Sequence, residues 1–343
     1  MDIADCRDIR QLQAIVFMIM FLQSSAKLST CYAYIGVALR SALRMGLHRS
    51  FPDNFNPIVS ETRKRVFWVI RKMDTYVGAL LGLPHSITDD DIDQEYPAEV
   101  DDEFITEEGI LPMPEGRVCV MSAANAHTNL VAILAKIVRY VYPLKGSHYT
   151  VHGKTVKSYS VSYGKILEIQ RDLHEWQDRL PPGLKPGGDA PLIIIRQAFV
   201  HGRSLSSQPD QLNRVQYLLR LAYAHTQMIL YRPFLHYVSQ TRHSRVVDKH
   251  SYACAADCVS VSRNIIHIAV EMKKRHLLIG AYWFTMYTTF FAILSLVFYA
   301  LENPEDDASQ DVWAVAQEGK DTLEQLAKRS MAADRCTATL SVG

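Results

Sequence analysis

Arg40-Ser41-Ala42-Leu43-Arg44-Met45-Gly46-Leu47-His48-Arg49 opens the stretch that decides the fold. It continues as Glu61-Thr62-Arg63-Lys64-Arg65-Val66-Phe67-Trp68, then Asp74, Gly82-Leu83-Pro84, Asp89-Asp90-Asp91-Ile92-Asp93 and Pro97. Gly46 suits the left-handed cap of a helix, with Leu47 supplying the apolar contact beyond it. Ser60 before Glu61 reads as the cap of the next helix, whose first turn favours an acid. From there Val66, Ile70, Met73, Val77 and Leu80 keep helical spacing and define a core face. Gly82 and Pro84 end that helix. Residues 85–114, rich in acids and prolines, read as an extended loop wrapping the helices.

The same punctuation extends outward. Helices are expected over about 8–23, 117–141, 246–274 and 311–328, the last still helical where the sequence stops. Ile166, Ile169, Leu173, Trp176 and Leu180 form an apolar stripe ended by Pro181-Pro182-Gly183. Leu212, Val215, Leu219, Ala222 and Ile229 form another, leading into Leu230-Tyr231-Arg232-Pro233-Phe234-Leu235-His236. Between those stripes, residues 183–210 carry Gly, Pro and Ser without a period. That is long for an ordered connection, so 183–210 reads as a loop and 196–209 as an insertion or a mis-spliced piece. No segment alternates well enough to read as a strand. The expectation is an all-α assembly of packed antiparallel helices forming one domain over residues 1–343.

The block from Arg40 to Pro97 closely resembles the middle homology region of the fungal transcription factor regulatory domain, found in zinc binuclear-cluster transcription factors. There an Arg-x-Ala helix ends in Gly-Leu-His-Arg. A Glu-x-Arg-Arg-Arg-x-Phe-Trp helix with a later Asp follows, then Gly-x-Pro and an acidic turn. The Arg232-Pro233-Phe234 turn resembles that family's second recognisable element. The resemblance implies architectural roles for Arg40, Gly46, His48, Arg49, Arg65, Trp68, Asp74, Gly82, Pro84, Arg232 and Pro233. Trp68 would fill the core, Asp74 would meet a basic residue of a neighbouring helix, and His48 and Arg49 would complement a helix dipole. It further implies a nuclear regulator of RNA polymerase II transcription with no catalytic site. Its partners would be the transcription machinery or co-regulators, a small-molecule effector, and a second copy in the full-length protein. Walls for an effector would be the 231–236 turn and the 282–299 helix.

Composition constrains how such a chain meets DNA. Thirty-seven basic residues nearly cancel 36 acidic ones among 343 residues, so no global positive field draws in phosphates. The family's six-cysteine zinc cluster does not appear in the sequence. Cysteines at 6, 31, 119, 254, 258 and 336 are scattered, and Cys254 and Cys258 share a helical face rather than a Cys-x-x-Cys clasp. Zinc, and with it DNA binding, is therefore expected only in an N-terminal cluster absent from this chain, which reads as N-terminally truncated. An apolar fraction of 48% is ample for a core, and unpaired cysteines suit a reducing compartment.

Other chemistries have weaker support. The segment 281–301 opens at Ala281, closes at Leu301 and holds no charge, which suits a membrane anchor by length. Its tyrosines, threonines and Ser295 suit the buried centre of a helical domain equally well. Residues 14–22 are apolar too, but Asp2, Asp5 and Asp8 before them oppose a signal peptide. Asp89, Asp90 and Asp93 spell the magnesium-binding signature of helical diphosphate enzymes. They lie on a loop by the present reading, and the second metal motif is incomplete. Ser24-Ser25-Ala26-Lys27, Gly146 to Thr155 and His174-Glu175 each miss the spacing or partners of a catalytic or nucleotide-binding motif. Arg63-Lys64-Arg65 reads as a solvated or ion-paired helix face rather than a localisation signal.

Overall fold

The computed structural model describes residues 6–51, 55–114, 119–142, 147–151, 154–158, 162–185, 208–238 and 249–342. The described residues form ten α-helices: α1 (Ile9–Ser24), α2 (Leu28–Arg44), α3 (Pro57–Leu81), α4 (Val120–Val141), α5 (Tyr163–Arg179), α6 (Gln208–Tyr231), α7 (Lys249–Lys274), α8 (Trp283–Glu302), α9 (Asp307–Ala327) and α10 (Met331–Val342). One antiparallel hairpin, β1 (Ser147–Val151) and β2 (Lys154–Ser158), pairs Ser147 with Ser158 and Val151 with Lys154. The fold is all-α apart from that hairpin, which sequence reading did not expect. The chain divides into two compact units, residues 1–131 with 180–219, and residues 132–179 with 220–343.

In the first unit α1, α2 and α3 pack in succession. Asp8 caps α1 by accepting from the Gln11 N–H at 2.9 Å. Leu12, Ile15, Ile19 and Leu22 form its buried stripe, each contributing roughly 1.5–3 kcal/mol by burial. α2 buries Cys31, Ile35, Ala38, Leu39 and Ala42. It ends as expected: Gly46 has φ +71°, and the Leu47 N–H donates to the Ala42 carbonyl at 2.9 Å with the Leu47 side chain fully buried. α3 starts earlier than the Ser60 reading. Asn56 accepts from the Val59 N–H at 2.9 Å and Pro57 takes the first helical position, where its missing N–H costs nothing. Gly82, φ +68°, closes α3.

In the second unit the uncharged segment becomes α8, packed against α7, α9 and α10. Its Thr289 and Ser295 hydroxyls donate to the Thr285 and Phe291 carbonyls at 2.8 and 2.9 Å, so these two hydroxyls are satisfied by the helix's own backbone. α7 and α8 are both long and apolar enough to cross a membrane by length and composition; here much of α8 is covered by protein. Gly319 of α9 allows close approach, since a Cβ there would sit 3.0 Å from Ile266 and Ile293 side-chain carbons. Of the loop expected over 183–210, Pro182–Leu184 is a short 3₁₀ turn and α6 already begins at Gln208. Residues 186–207, with most of the proposed insertion, lie outside the described residues.

Candidate functional site

Along α3, residues 61, 64, 68, 71 and 74 fall three or four apart and so share one edge of the helix. Most are polar, and the acidic segment after Gly82 runs back along them as a strap. Asp74, fully buried, accepts from the Ser86 N–H at 2.8 Å and from its hydroxyl at 2.9 Å. Arg71 donates to Asp89 at 3.3 Å and to the Thr75 hydroxyl. The Trp68 indole N–H donates to the Glu95 carbonyl at 2.9 Å. Lys64 pairs with Glu95 at 3.0 Å and Glu61 at 3.3 Å. Glu61 accepts from the Ala98 N–H at 2.9 Å, and Arg65 pairs with Asp102. From the other side, Asn125 of α4 donates to the Pro97 carbonyl at 2.8 Å.

These contacts differ in weight. Asp89, Glu95 and Asp102 are 68%, 68% and 86% exposed at their side chains, so their ion pairs contribute about 0–1 kcal/mol each. Glu61 and Asp74 are buried and receive backbone N–H groups. Hydrogen bonds to charged groups contribute about 1.5–3 kcal/mol, so the two buried carboxylates fix the strap. Burial opposes the Lys64 ammonium, but Glu95 and Glu61 outweigh it and raise its pKa.

The strap also closes the end of α2. The Gln94 amide donates to the Leu47 and Arg49 carbonyls at 2.9 and 2.8 Å, and the Asp93 N–H to the His48 carbonyl at 2.9 Å. Arg63 donates to the Met45 carbonyl at 2.8 Å, its guanidinium 4.3 Å from the Phe55 ring centre. Arg63 thereby does the task assigned to His48. His48 has a buried Nδ1 without a partner, and burial, then the Arg49 charge, lowers its pKa. Asp91 acts in the opposite direction. Arg49 is exposed at the mouth of a cavity of about 200 Å³ that Phe51, Phe55, Arg63, Glu95 and Ile110 also line.

Two other expectations are corrected in detail, and the acidic loop gains its fastenings. Trp68 does not fill the core: it is half-buried, its ring against Tyr96 at 4.6 Å between centres, while Phe67 is fully buried. Asp74 holds Ser86 of the strap instead of a base on another helix. The acidic triplet Asp89–Asp91 forms a 3₁₀ turn in which Asp89 faces Arg71 and Asp91 accepts from Thr88. Two of its carboxylates are thus engaged by protein groups. Pro84 lies at the strap's start, its carbonyl accepting from the Tyr32 hydroxyl at 3.4 Å. Arg40 stands apart, exposed, beside Gly36.

Arg232 and Pro233 belong to a 3₁₀ turn, Arg232–Val238, in the second unit. The Arg232 guanidinium lies 5.1 Å from the Phe291 ring centre. The Tyr142 hydroxyl donates to the Ile229 carbonyl at 2.8 Å, and Gln170 donates to the Tyr231 hydroxyl at 2.9 Å. Burial and the Arg232 charge push the His225 pKa down to about 3. The 231–236 turn and α8 were expected to wall an effector site; they pack on each other, and the α2–α3 cavity lies elsewhere. Glu61 was read only as a first-turn acid, and Arg71, Ser86 and Gln94 were not assigned roles from sequence. Polar residues at helical spacing on α3 were a signal for Glu61 and Arg71, and nothing marked Ser86 or Gln94.

A helical unit built around a polar helix edge and an acidic strap defines the class, and comparison with known proteins names it. Residues 1–178 match the family described as the fungal specific transcription factor domain, and the chain belongs to that family. It is 40% identical over 344 residues to "Activator of stress genes 1" of Saccharomyces cerevisiae, covering 97% of this chain and 33% of that protein. It is 39% identical to "Activator of stress genes protein 1" of Candida albicans over 87% of this chain and 30% of that protein. To "Transcriptional activator protein acu-15" of Neurospora crassa it is 30% identical over 65% of this chain and 21% of that protein. The chain spans about a third or less of these relatives. No solved structure matches it.

Proposed function

We propose that residues 1–343 are the regulatory region of a fungal zinc-cluster transcription factor that controls RNA polymerase II transcription in the nucleus. The observation that carries this reading is the family match over the strap-bearing half, supported by relatives named as activators and transcriptional regulators. DNA is contacted by a zinc cluster outside these residues, and this chain contributes regulation rather than catalysis. The mechanism is a population shift. A co-regulator or small-molecule effector that binds one strap arrangement better than another changes the exposure of activating or DNA-binding segments. Homodimerisation belongs to the full-length protein.

Asp74→Asn in the full-length protein tests this reading, because it keeps the side-chain shape and weakens the strap's charged anchor. Target transcript and promoter occupancy are measured together. The expected result is retained occupancy with transcript altered several-fold. Unaltered transcript, in a variant whose lowered melting temperature proves the strap loosened, sinks the regulatory role of the strap.

A further inference from the structure

We propose that the cavity at the α2–α3 junction binds a small organic monocarboxylate, its head on Arg49 and Arg63 and its hydrocarbon against Phe51, Phe55 and Ile110. The inference rests on the regulatory reading above and gives it a ligand class. The space, about 200 Å³, lies below the usual range for drug-sized ligands and suits one of a few carbons. Charge selects the head group. Lys64 is taken by Glu61 and Glu95, whereas among the described residues no carboxylate pairs with Arg49 or Arg63. Burial lowers the Arg63 pKa, as befits a guanidinium lacking a counter-ion.

Arg63 is also held in place. One N–H donates to Met45 and the guanidinium lies over Phe55, which leaves most of its five donors for an anion. Among the described residues the lining holds Arg49, Arg63 and Lys64 against Glu61 and Glu95, three positive charges against two negative. A surplus of one suits a monoanion, and Glu95 on the strap side repels a phosphate dianion. The aromatic and aliphatic wall favours a hydrocarbon tail over a purely polar anion. Because Gln94, Glu95 and Ile110 come from the strap and the arginines from the α2–α3 corner, an occupant touches both parts.

Hexanoate, hexan-1-ol, hexylamine and inorganic phosphate are titrated calorimetrically into the full chain. Saturable hexanoate binding is expected, at least about tenfold tighter than the other three, a difference of about 1.4 kcal/mol. Arg49→Gln, at an exposed position, is expected to weaken hexanoate about tenfold at an unchanged melting temperature. Arg63→Gln serves as a second variant, read only if its melting temperature also holds. Hexanoate binding no tighter than hexan-1-ol, tighter binding of phosphate, or an Arg49→Gln chain that binds like the parent would overturn the proposal. Transcription is a separate readout. Hexanoate binding without any transcriptional effect leaves the site standing and removes the effector from the regulatory reading.

Discussion

Phe67 and Trp68 are neighbours in sequence with opposite environments, and the difference sets their expected contributions. Phe67→Ala opens a cavity in a fully buried site and is expected to cost about 3–5 kcal/mol. Trp68→Ala loses a half-buried ring and one hydrogen bond to Glu95, so urea denaturation should rank it clearly milder. Asp74→Ala strands the Ser86 N–H and hydroxyl and is expected to cost about 2–4 kcal/mol. A melting temperature equal to the parent's would show that the strap does not depend on Asp74. His225 gives a pH signature. Its folded pKa, pushed to about 3 by burial and Arg232, lies below the ordinary 6.5. Between those values the unfolded chain holds a proton that the folded chain lacks, so stability falls as pH drops through this window. His225→Phe should flatten that part of the stability profile; urea midpoints at pH 7.5 and 5 for both proteins decide it.

At the level of elements, helix ends were legible where the chain needs a special backbone. Gly46 and Gly82 both take positive φ, which favours glycine. The start of α3 was misread because Ser60 and Asn56 are both good caps, and the choice turned on Pro57 fitting the first helical position. The strap was legible as an extended acidic loop but its fastenings were not. Contacts such as Gln94 to Leu47, 47 residues apart, follow from packing and leave no local periodicity. The hairpin was missed because two five-residue strands give too few alternations to outweigh the helical context. In α8 composition alone left membrane and core open, and in the structure the helix packs against α7, α9 and α10. The same packing makes Gly319 sensitive. Gly319→Val forces branched carbons into space already filled by Ile266 and Ile293 and is expected to cost about 1–3 kcal/mol. A thermal melt unchanged by it would mean that α9 can draw back freely.

For the molecule as a whole, family membership invites the expectation that this chain grips DNA, and its charge argues otherwise. Specific complexes draw much of their affinity from Lys and Arg neutralising phosphates and releasing counterions. Here 37 basic residues meet 36 acidic ones, and several bases are committed internally: Lys64, Arg65 and Arg71 to the strap, Lys136 to Glu168 and Asp172. The strap adds acids to the surface, with Asp89, Asp90, Asp91 and Asp93 all exposed, and these repel a phosphate backbone. Base readout needs an element that enters a groove after phosphate contacts have positioned it, and the acidic strap cannot supply that positioning. The 343-residue chain by itself is therefore expected to show no sequence-specific DNA binding. Fluorescence anisotropy with a promoter duplex and a scrambled duplex, from about 50 to 200 mM salt, measures this directly. The expected result is weak or absent binding that is equal for the two duplexes. Tight binding to one duplex, steeply lost with salt, would place a DNA-reading surface within these residues.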